Sequence, residues 1–364
     1  MTRYSCLSCG ENYPVSGLPH QCKCGGFFSM QDLSYMPERY ANSSSFGMWR
    51  YMDAFGLDAQ ALPFWLGEGQ TPLVPVEIGT KTFYFKCEHL NPSGSFKDRQ
   101  SAVLMSLLRA RNIDEVLEDS SGNAGASLAQ YAAAAKVKSH IFIPSSSSGP
   151  KRQQIVFSGA NVVLVDGPRA NASSAVLEMH KESGISYASH AFLPFGLAAY
   201  ATIAFEIFES LGRMPGLVFS PIGHGSLFLG LLRGFEAIEA YTGEERPGMI
   251  GVQAENCAPV YYAWHGLPKC AIEATIAEGV AVSEPVRAKE IRESLNPKKD
   301  MLIAVKEYDI ARGHKLLAEH GVFLEPTAAM VWAASEELLR DKTKDAQDWV
   351  FILSGNGLKS IDNE

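Results

Sequence analysis

One lysine lies in a sequence context that could make its amine reactive. Residues 91–99 read Asn-Pro-Ser-Gly-Ser-Phe-Lys-Asp-Arg, so Lys97 follows a turn rich in proline, glycine and serine. Ser95 and Asp98 have the spacing of a capping pair, which predicts a helix with Lys97 in its first turn. The positive end of the helix dipole disfavours a protonated amine, so Lys97 would have a lowered pKa and could attack a carbonyl group. An ordinary surface lysine in a first helical turn fits the same nine residues.

Three further segments carry small polar residues at turns, where backbone N–H groups can face a ligand. Residues 119–131 contain Ser-Ser-Gly-Asn before an alanine-rich stretch, and residues 218–230 contain Pro-Ile-Gly-His-Gly-Ser-Leu. Residues 350–359 contain Ser-Gly-Asn-Gly-Leu-Lys. Each segment is a weak signal alone, but the combination with the lysine segment, in this order, is specific.

The loop at residues 223–227, called the glycine loop below, consists of Gly223, His224, Gly225, Ser226 and Leu227. It follows an apolar strand and precedes a predicted helix. Backbone amides at the start of a helix form a natural site for a phosphate dianion. His224 could instead be a catalytic base, although we favour its backbone amide as the contact.

On these segments and on Glu325-Pro326-Thr327, the chain resembles the threonine synthase branch of the fold-type II pyridoxal-phosphate (PLP) enzymes over most of its length. The resemblance implies an α/β enzyme with two doubly wound domains and a cofactor in the cleft between them. It also implies a homodimer and a small amino-acid substrate. The expected division is a cysteine-rich segment at 1–45, a small domain at 85–190, and a large domain at 46–84 and 191–364.

The resemblance also implies roles for individual residues. Lys97 would hold PLP as a Schiff base and then move protons as general base and acid, with Phe96 packed beside it. The glycine loop would hold the cofactor phosphate, Asn123 would hydrogen-bond the ring hydroxyl, and Ser354 would face the pyridine nitrogen. A neutral hydroxyl at that nitrogen favours elimination and replacement over transamination. The substrate carboxylate would bind to Ser120, Ser121 and the amide of Ala124.

One segment departs from the family pattern. The best-known threonine synthases bind the phosphate of O-phosphohomoserine with an arginine and a lysine in the part that corresponds to residues 189–207. Residues 189–202 read Ser-His-Ala-Phe-Leu-Pro-Phe-Gly-Leu-Ala-Ala-Tyr-Ala-Thr and contain neither cation. Because a buried phosphate without a cationic partner is costly, Lys151 and Arg152 would have to supply the charge. Otherwise the leaving group is not phosphate.

The leading hypothesis is a lyase that converts O-phospho-L-homoserine and water to L-threonine and phosphate. The alternative keeps PLP but changes the reaction to β-elimination or β-replacement on serine, threonine, diaminopropionate or phosphoserine. A third hypothesis is a non-catalytic zinc-ribbon binding protein on an old enzyme scaffold. The intact lysine, asparagine and glycine segments argue against this third hypothesis.

The first 45 residues contain two close cysteine pairs. Cys6 and Cys9 form a C-x2-C pair, and Cys22 and Cys24 form a C-x-C pair. Four thiolates in two short turns suit a structural, tetrahedral zinc site, and members of the threonine synthase family often carry a comparable cluster. A degenerate ribbon without metal, or four free thiols, fits the same pattern, since the second pair has a single spacer.

Composition limits the remaining possibilities. The chain has 364 residues, 46% of them hydrophobic, and a net charge of −8. An acidic globular chain of this kind is a poor partner for nucleic acid. The sequence has no run of 18 apolar residues and begins without an apolar signal core, so we expect no membrane span and a reducing cytoplasm.

The chain beyond the cysteines alternates between predicted strands and helices, which is typical of parallel α/β sheets. The predicted strands are 81–86, 116–118, 140–144, 160–166, 217–219, 249–254, 301–305 and 349–353. The predicted helices are 97–111, 124–135, 153–158, 172–183, 199–211, 226–241 and 327–339.

Overall fold

The computed structural model describes residues 2–79, 81–268, 272–339 and 348–361. These residues group into two compact units. The first unit takes the described residues of 1–69, 91–199 and 359–364, and the second takes those of 70–90 and 200–358.

The strands are β1 (Arg3–Cys6), β2 (Phe28–Gln31), β3 (Leu73–Ile78), β4 (Lys81–Lys86), β5 (Glu115–Glu118), β6 (Lys138–Pro144), β7 (Asn161–Val165), β8 (Ser186–Tyr187), β9 (Leu217–Pro221), β10 (Gly248–Ala254), β11 (Met301–Val305) and β12 (Trp349–Ile352). The α-helices are α1 (Pro37–Ala41), α2 (Lys97–Ala110), α3 (Asn123–Ala135), α4 (Gly149–Phe157), α5 (Arg169–Ser183), α6 (Phe195–Leu211), α7 (Ser226–Thr242), α8 (Pro259–Trp264), α9 (Ala288–Ser294), α10 (Glu307–Glu319) and α11 (Pro326–Leu338). None of these described helices is both long and apolar enough to cross a membrane.

The first unit contains a parallel sheet in the order β7-β6-β5-β8 and an antiparallel pair of β1 and β2. Helices α3, α4 and α5 connect successive strands of the parallel sheet, as parallel neighbours require. Leu117, Phe142, Val176 and Tyr187 lie in its apolar core. Because β5 and β8 are adjacent and parallel, the turns that follow them leave the sheet at the same edge.

The second unit contains a sheet in the order β11-β10-β9-β12-β4-β3. The central strands β9, β10 and β12 are buried along their whole length, as expected for parallel strands covered on both faces. Phe219 and Phe351 stack at 4.6 Å between ring centroids, and Trp332 of α11 lies 5.4 Å from Phe351. The edge strand β3 runs antiparallel to β4, and Pro75 within it lacks the N–H that an inner strand would need.

The α/β class predicted from the alternation is confirmed, and most predicted elements lie within a few residues of the observed ones. The larger sheet is mixed rather than parallel, because β3 pairs antiparallel with β4. Strand β3 was not predicted. Strands β1, β2 and β8 and helices α1, α8, α9 and α10 were also missed. Except for α10, the missed elements other than β3 span only two to seven residues, which is too short for a clear apolar period. The predicted domain boundaries stay predictions.

Candidate active site

Lys97 is the first residue of α2, and its side chain lines a small cavity in the first unit together with Gln100, Glu118 and His190. Removal of water lowers the pKa of Lys97 to about 8, while the negative charge of Glu118 raises it and the positive charge of Arg169 lowers it. An amine with this pKa is partly neutral near neutral pH. It can therefore act as a nucleophile and as a general base.

The start of α2 differs from the predicted capping pair. Phe96 occupies the position before the helix, and no described side chain caps it. The Asp98 carboxylate instead accepts hydrogen bonds from the backbone N–H of Ser93 and the hydroxyl of Ser127, both at 2.6 Å. The predicted Ser95 cap is therefore wrong, because Asp98 is buried and points back to the turn. Phe96 does lie beside Lys97, with its ring centroid 4.7 Å from Nζ.

The turn after β5 carries the residues predicted to bind the substrate carboxylate. Ser120 is buried, and Ser121, Asn123 and Ala124 follow it into α3. Gly125 allows the helix to begin this close to the strand, because a Cβ there would lie 1.8 Å from the carbonyl oxygen of Ser120. No described side chain caps α3, so its first backbone amides are suited to bind an anion.

The glycine loop lies in the second unit, between β9 and α7. Gly225 has a left-handed φ of +102°, and a Cβ there would lie 2.5 Å from Cδ1 of Ile291. The buried Arg287 stabilises the glycine loop through two hydrogen bonds. Its guanidinium donates to the hydroxyl of Ser226 at 3.3 Å, and its backbone N–H donates to the carbonyl of His224 at 3.2 Å. Since no described side chain caps α7, the first amides of this long helix are suited to a phosphate.

Ser354 and the glycine loop lie at the same edge of the larger sheet. Ser354 is buried and follows β12, which pairs in parallel with β9, the strand that leads into the glycine loop. Gly223 approaches another segment closely, since a Cβ there would lie 3.2 Å from the carbonyl oxygen of Gly279. Leu227 is buried in the first turn of α7. The second unit therefore brings the glycine loop and Ser354 together.

The two cations predicted to bind the substrate phosphate in place of the missing arginine and lysine lie in α4. Lys151 and Arg152 are half-buried, and Arg152 donates to the carbonyl of Ser147 at 2.8 Å. Helix α4 is tied to the lysine turn by Gln154, whose amide donates to the carbonyl of Ser93 at 3.2 Å. Residues 193–202 of the apolar segment at 189–202 are buried throughout.

Sequence reasoning missed four charged or titratable residues near these groups: Glu118, Arg169, His190 and Arg287. Glu118 had a usable signal, because it follows two apolar residues of β5 and a carboxylate is costly to bury unless it has a role. His190 stands in the segment that departs from the family pattern. Arg169 and Arg287 lie in stretches with no distinctive motif, and only the fold brings them near the candidate residues.

The four cysteines of the N-terminal segment converge. Their sulfur atoms all lie within 4.8 Å of one another, with 3.5 Å between Cys6 and Cys24 and 3.7 Å between Cys9 and Cys22. Tetrahedral zinc with four thiolates places sulfur atoms about 3.8 Å apart. Gly26 leaves the needed room, since a Cβ there would lie 2.6 Å from the sulfur of Cys6. The donor set fits zinc, and zinc binding stays a prediction.

The chemistry of the described residues fits PLP. An aldehyde needs a partly neutral amine, which burial provides at Lys97. A phosphate ester needs uncapped helix amides, which the start of α7 provides, and Gly225 keeps side-chain atoms out of the space beside them. Each requirement is met within its own unit.

Comparison with known proteins agrees with this chemistry. The sequence model of the pyridoxal-phosphate dependent enzyme family matches residues 64–355. A threonine synthase from Methanocaldococcus jannaschii is 31% identical, over 98% of this chain and 93% of that protein. A threonine synthase from a Bacillus species is 29% identical, over 82% of this chain and 85% of that protein. The crystal structure of a threonine deaminase from T.th. matches with a TM-score of 0.67 and 25% identity, over 81% of this chain and 94% of that chain. The chain therefore belongs to the pyridoxal-phosphate-dependent enzymes, as a threonine synthase-like lyase of fold type II.

Proposed function

We propose that this enzyme converts O-phospho-L-homoserine and water to L-threonine and phosphate. The observation that carries the proposal is Lys97, whose pKa of about 8 suits a reactive amine, in a chain similar to a threonine synthase over 98% of its length. In this reaction the bond between carbon and the phosphate oxygen breaks, and the elements of water add to the carbon skeleton. Phosphate is the leaving group.

The proposed roles are those that the family resemblance implies, and the position of each residue is compatible with them. Lys97 would hold PLP covalently at Nζ, the glycine loop would bind its phosphate, and Asn123 and Ser354 would contact its ring. When bound, PLP supplies an electron sink for negative charge on the substrate carbon next to nitrogen. After the substrate amine displaces it, Lys97 Nζ would take the proton from that carbon and later return a proton to the skeleton. Its pKa of about 8 allows both directions near neutral pH.

The substrate anions need partners in the first unit. The amides at the start of α3, with Ser120 and Ser121, would bind the carboxylate. For the substrate phosphate we propose Arg169, the exposed first residue of α5, because its positive charge acts on Lys97 and on Glu118. Lys151 and Arg152 in α4 are the other candidate cations.

A second candidate function has its own supporting observation. Residues 189–202 contain no arginine or lysine, and most of this stretch is buried. A pocket bordered by such a segment would suit an amino acid with a small or neutral leaving group. The corresponding reaction is β-elimination or β-replacement on serine, threonine, diaminopropionate or phosphoserine.

The discriminating experiment measures products from the purified, PLP-loaded enzyme. Phosphate and threonine release from O-phospho-L-homoserine supports the first function. Keto acid and ammonia from the other substrates, without phosphate release from O-phospho-L-homoserine, would replace it with the second. An Arg169→Ala variant should raise KM for the phosphorylated substrate, and Lys181→Ala, at the exposed far end of the same helix, should not.

A further inference from the structure

The carboxylate of Glu118 lines the same small cavity as Lys97 and is held in position by hydrogen bonds. Glu118 ends β5, is only 1% exposed and lines the same cavity as Lys97. Its Oε1 atom accepts the backbone N–H of Asp119 at 3.0 Å and lies 2.8 Å from Nδ1 of His190. Its Oε2 atom accepts the backbone N–H of His190 at 3.1 Å. A buried carboxylate with this many donors is oriented rather than adventitious.

The surroundings of Glu118 favour a role in proton balance over a metal site. One oxygen or nitrogen atom from each of Glu118, Asp119 and His190 lies within 4.8 Å of the others. The Asp119 oxygens, however, accept the hydroxyl of Tyr187 at 2.5 Å and the hydroxyl of Ser173. A cation would have to displace these donors and would lie close to the positive charge of Lys97.

The charges around Glu118 are coupled. Burial raises the pKa of Glu118 to about 7, the backbone donors lower it, and the positive charges of Lys97 and Arg169 also lower it. Burial lowers the pKa of His190 well below its ordinary value, with Lys97 acting in the same direction and Asp119 opposing. His190 is therefore neutral near pH 7, and its ring N–H can donate to Glu118. The pKa values of Lys97, about 8, and of Glu118, about 7, both lie near neutral pH.

We infer that Glu118, oriented by His190, is the counter-charge of Lys97 and takes up a proton when the lysine amine loses its positive charge. In this exchange an N–H bond of the ammonium breaks, the electron pair stays on nitrogen, and an O–H bond forms on the carboxylate. The pair keeps a net charge of zero before and after. Glu118 is thus a positioning residue that acts through Lys97 and controls how readily the amine becomes neutral.

The test is the titration of Lys97 in the full-length protein without cofactor. The rate of acetylation of Lys97 at a series of pH values, read by mass spectrometry, gives the pKa of its amine. Glu118→Gln removes the negative charge, so the titration midpoint should fall by about one pH unit, the usual effect of a nearby opposite charge. Glu118→Asp keeps the charge and should restore most of the shift.

A second pair on the same strand supplies the control. Glu115, at the other end of β5, lies 2.7 Å from Nε2 of His140, so Glu115→Gln breaks a carboxylate–histidine pair of the same kind. This variant should leave the Lys97 midpoint unchanged. An unchanged midpoint in folded Glu118→Gln, or an equal shift in Glu115→Gln, would overturn the inference.

The coupling must also change the pKa of Glu118 when Lys97 is replaced. This second measurement tests the inference even if Glu118→Gln does not fold. Linkage requires Lys97→Ala to raise the pKa of Glu118 by the same amount that Glu118 raises the pKa of Lys97. Carboxyl-carbon NMR shifts in protein with labelled glutamate measure this pKa. No rise in Lys97→Ala would refute the coupling.

The inference rests on Lys97 being the reactive lysine of the proposed function, but neither titration needs PLP or substrate. Normal coupling with no phosphate release would reject the proposed reaction alone. Phosphate release with no coupling would reject only the role of Glu118.

Discussion

Gly225, at the start of α7, gives a direct test of how the glycine loop is held. We predict that Gly225→Ala lowers the free energy of unfolding by about 2–5 kcal/mol. The left-handed φ of +102° accounts for about 1–2 kcal/mol of this cost, because an alanine there is strained. The new Cβ would lie 2.5 Å from Cδ1 of the buried Ile291, and such overpacking costs about 1–3 kcal/mol. Urea denaturation followed by circular dichroism measures the total.

Two matched variants separate these contributions. Gly243 ends the same helix with a φ of +75° and no atom within 4 Å of a new Cβ, so Gly243→Ala should show only the backbone cost of about 1–2 kcal/mol. Ile291→Val removes the clashing Cδ1 atom and costs about 0.5–1.5 kcal/mol by itself. In the Ile291→Val background, Gly225→Ala should lower the free energy of unfolding by a smaller amount, and a double-mutant cycle measures this difference. Equal losses at the two glycines, or the same cost in both backgrounds, would refute the reasoning.

The remaining predictions concern the lysine, its carboxylate neighbour and the cysteines. Lys97→Ala should abolish both the absorbance band of bound PLP near the visible edge and all turnover; wild-type turnover in this variant would contradict the assignment. The raised pKa of Glu118 means that burying its charge destabilises the fold increasingly from pH 4.5 to about 7, so Glu118→Gln should flatten the pH dependence of unfolding over that range. Replacing Cys6 and Cys9 by serine should lower zinc content and thermal stability, and equal metal content in variant and wild type would exclude the site.

The sequence predicted those features that depend on local pattern. The buried strands β9 and β10 are almost continuously apolar, and α3 is rich in alanine, so short windows identify them. The lowered pKa of Lys97 was predicted from the start of a helix, but its main cause was not. Burial dominates at Lys97, and burial depends on residues far away in the chain, such as His190. The predicted capping pair of Ser95 and Asp98 was wrong for a similar reason, because the Asp98 carboxylate accepts a hydrogen bond from Ser127 of another helix.

Residues 189–202, which lack the two cations of the family pattern, make long-range aromatic contacts instead. Where two cations were expected, Phe192 and Phe195 instead pack against rings of the cysteine-rich segment, with Phe192 5.4 Å from Phe27 and Phe195 4.8 Å from Tyr13 between centroids. Two residues before Phe192, His190 binds Glu118. The predicted zinc site would therefore stiffen the backbone that orients this carboxylate.

The same geometry restricts where a substrate phosphate can bind. A phosphate placed against His190 would face the carboxylate of Glu118, and two buried like charges repel strongly. A phosphorylated substrate needs a cation for its second anion, and Arg169, Lys151 and Arg152 are the proposed candidates, whereas a substrate with a neutral leaving group needs none. The choice between the two proposed reactions thus depends on whether one of these cations binds the substrate phosphate.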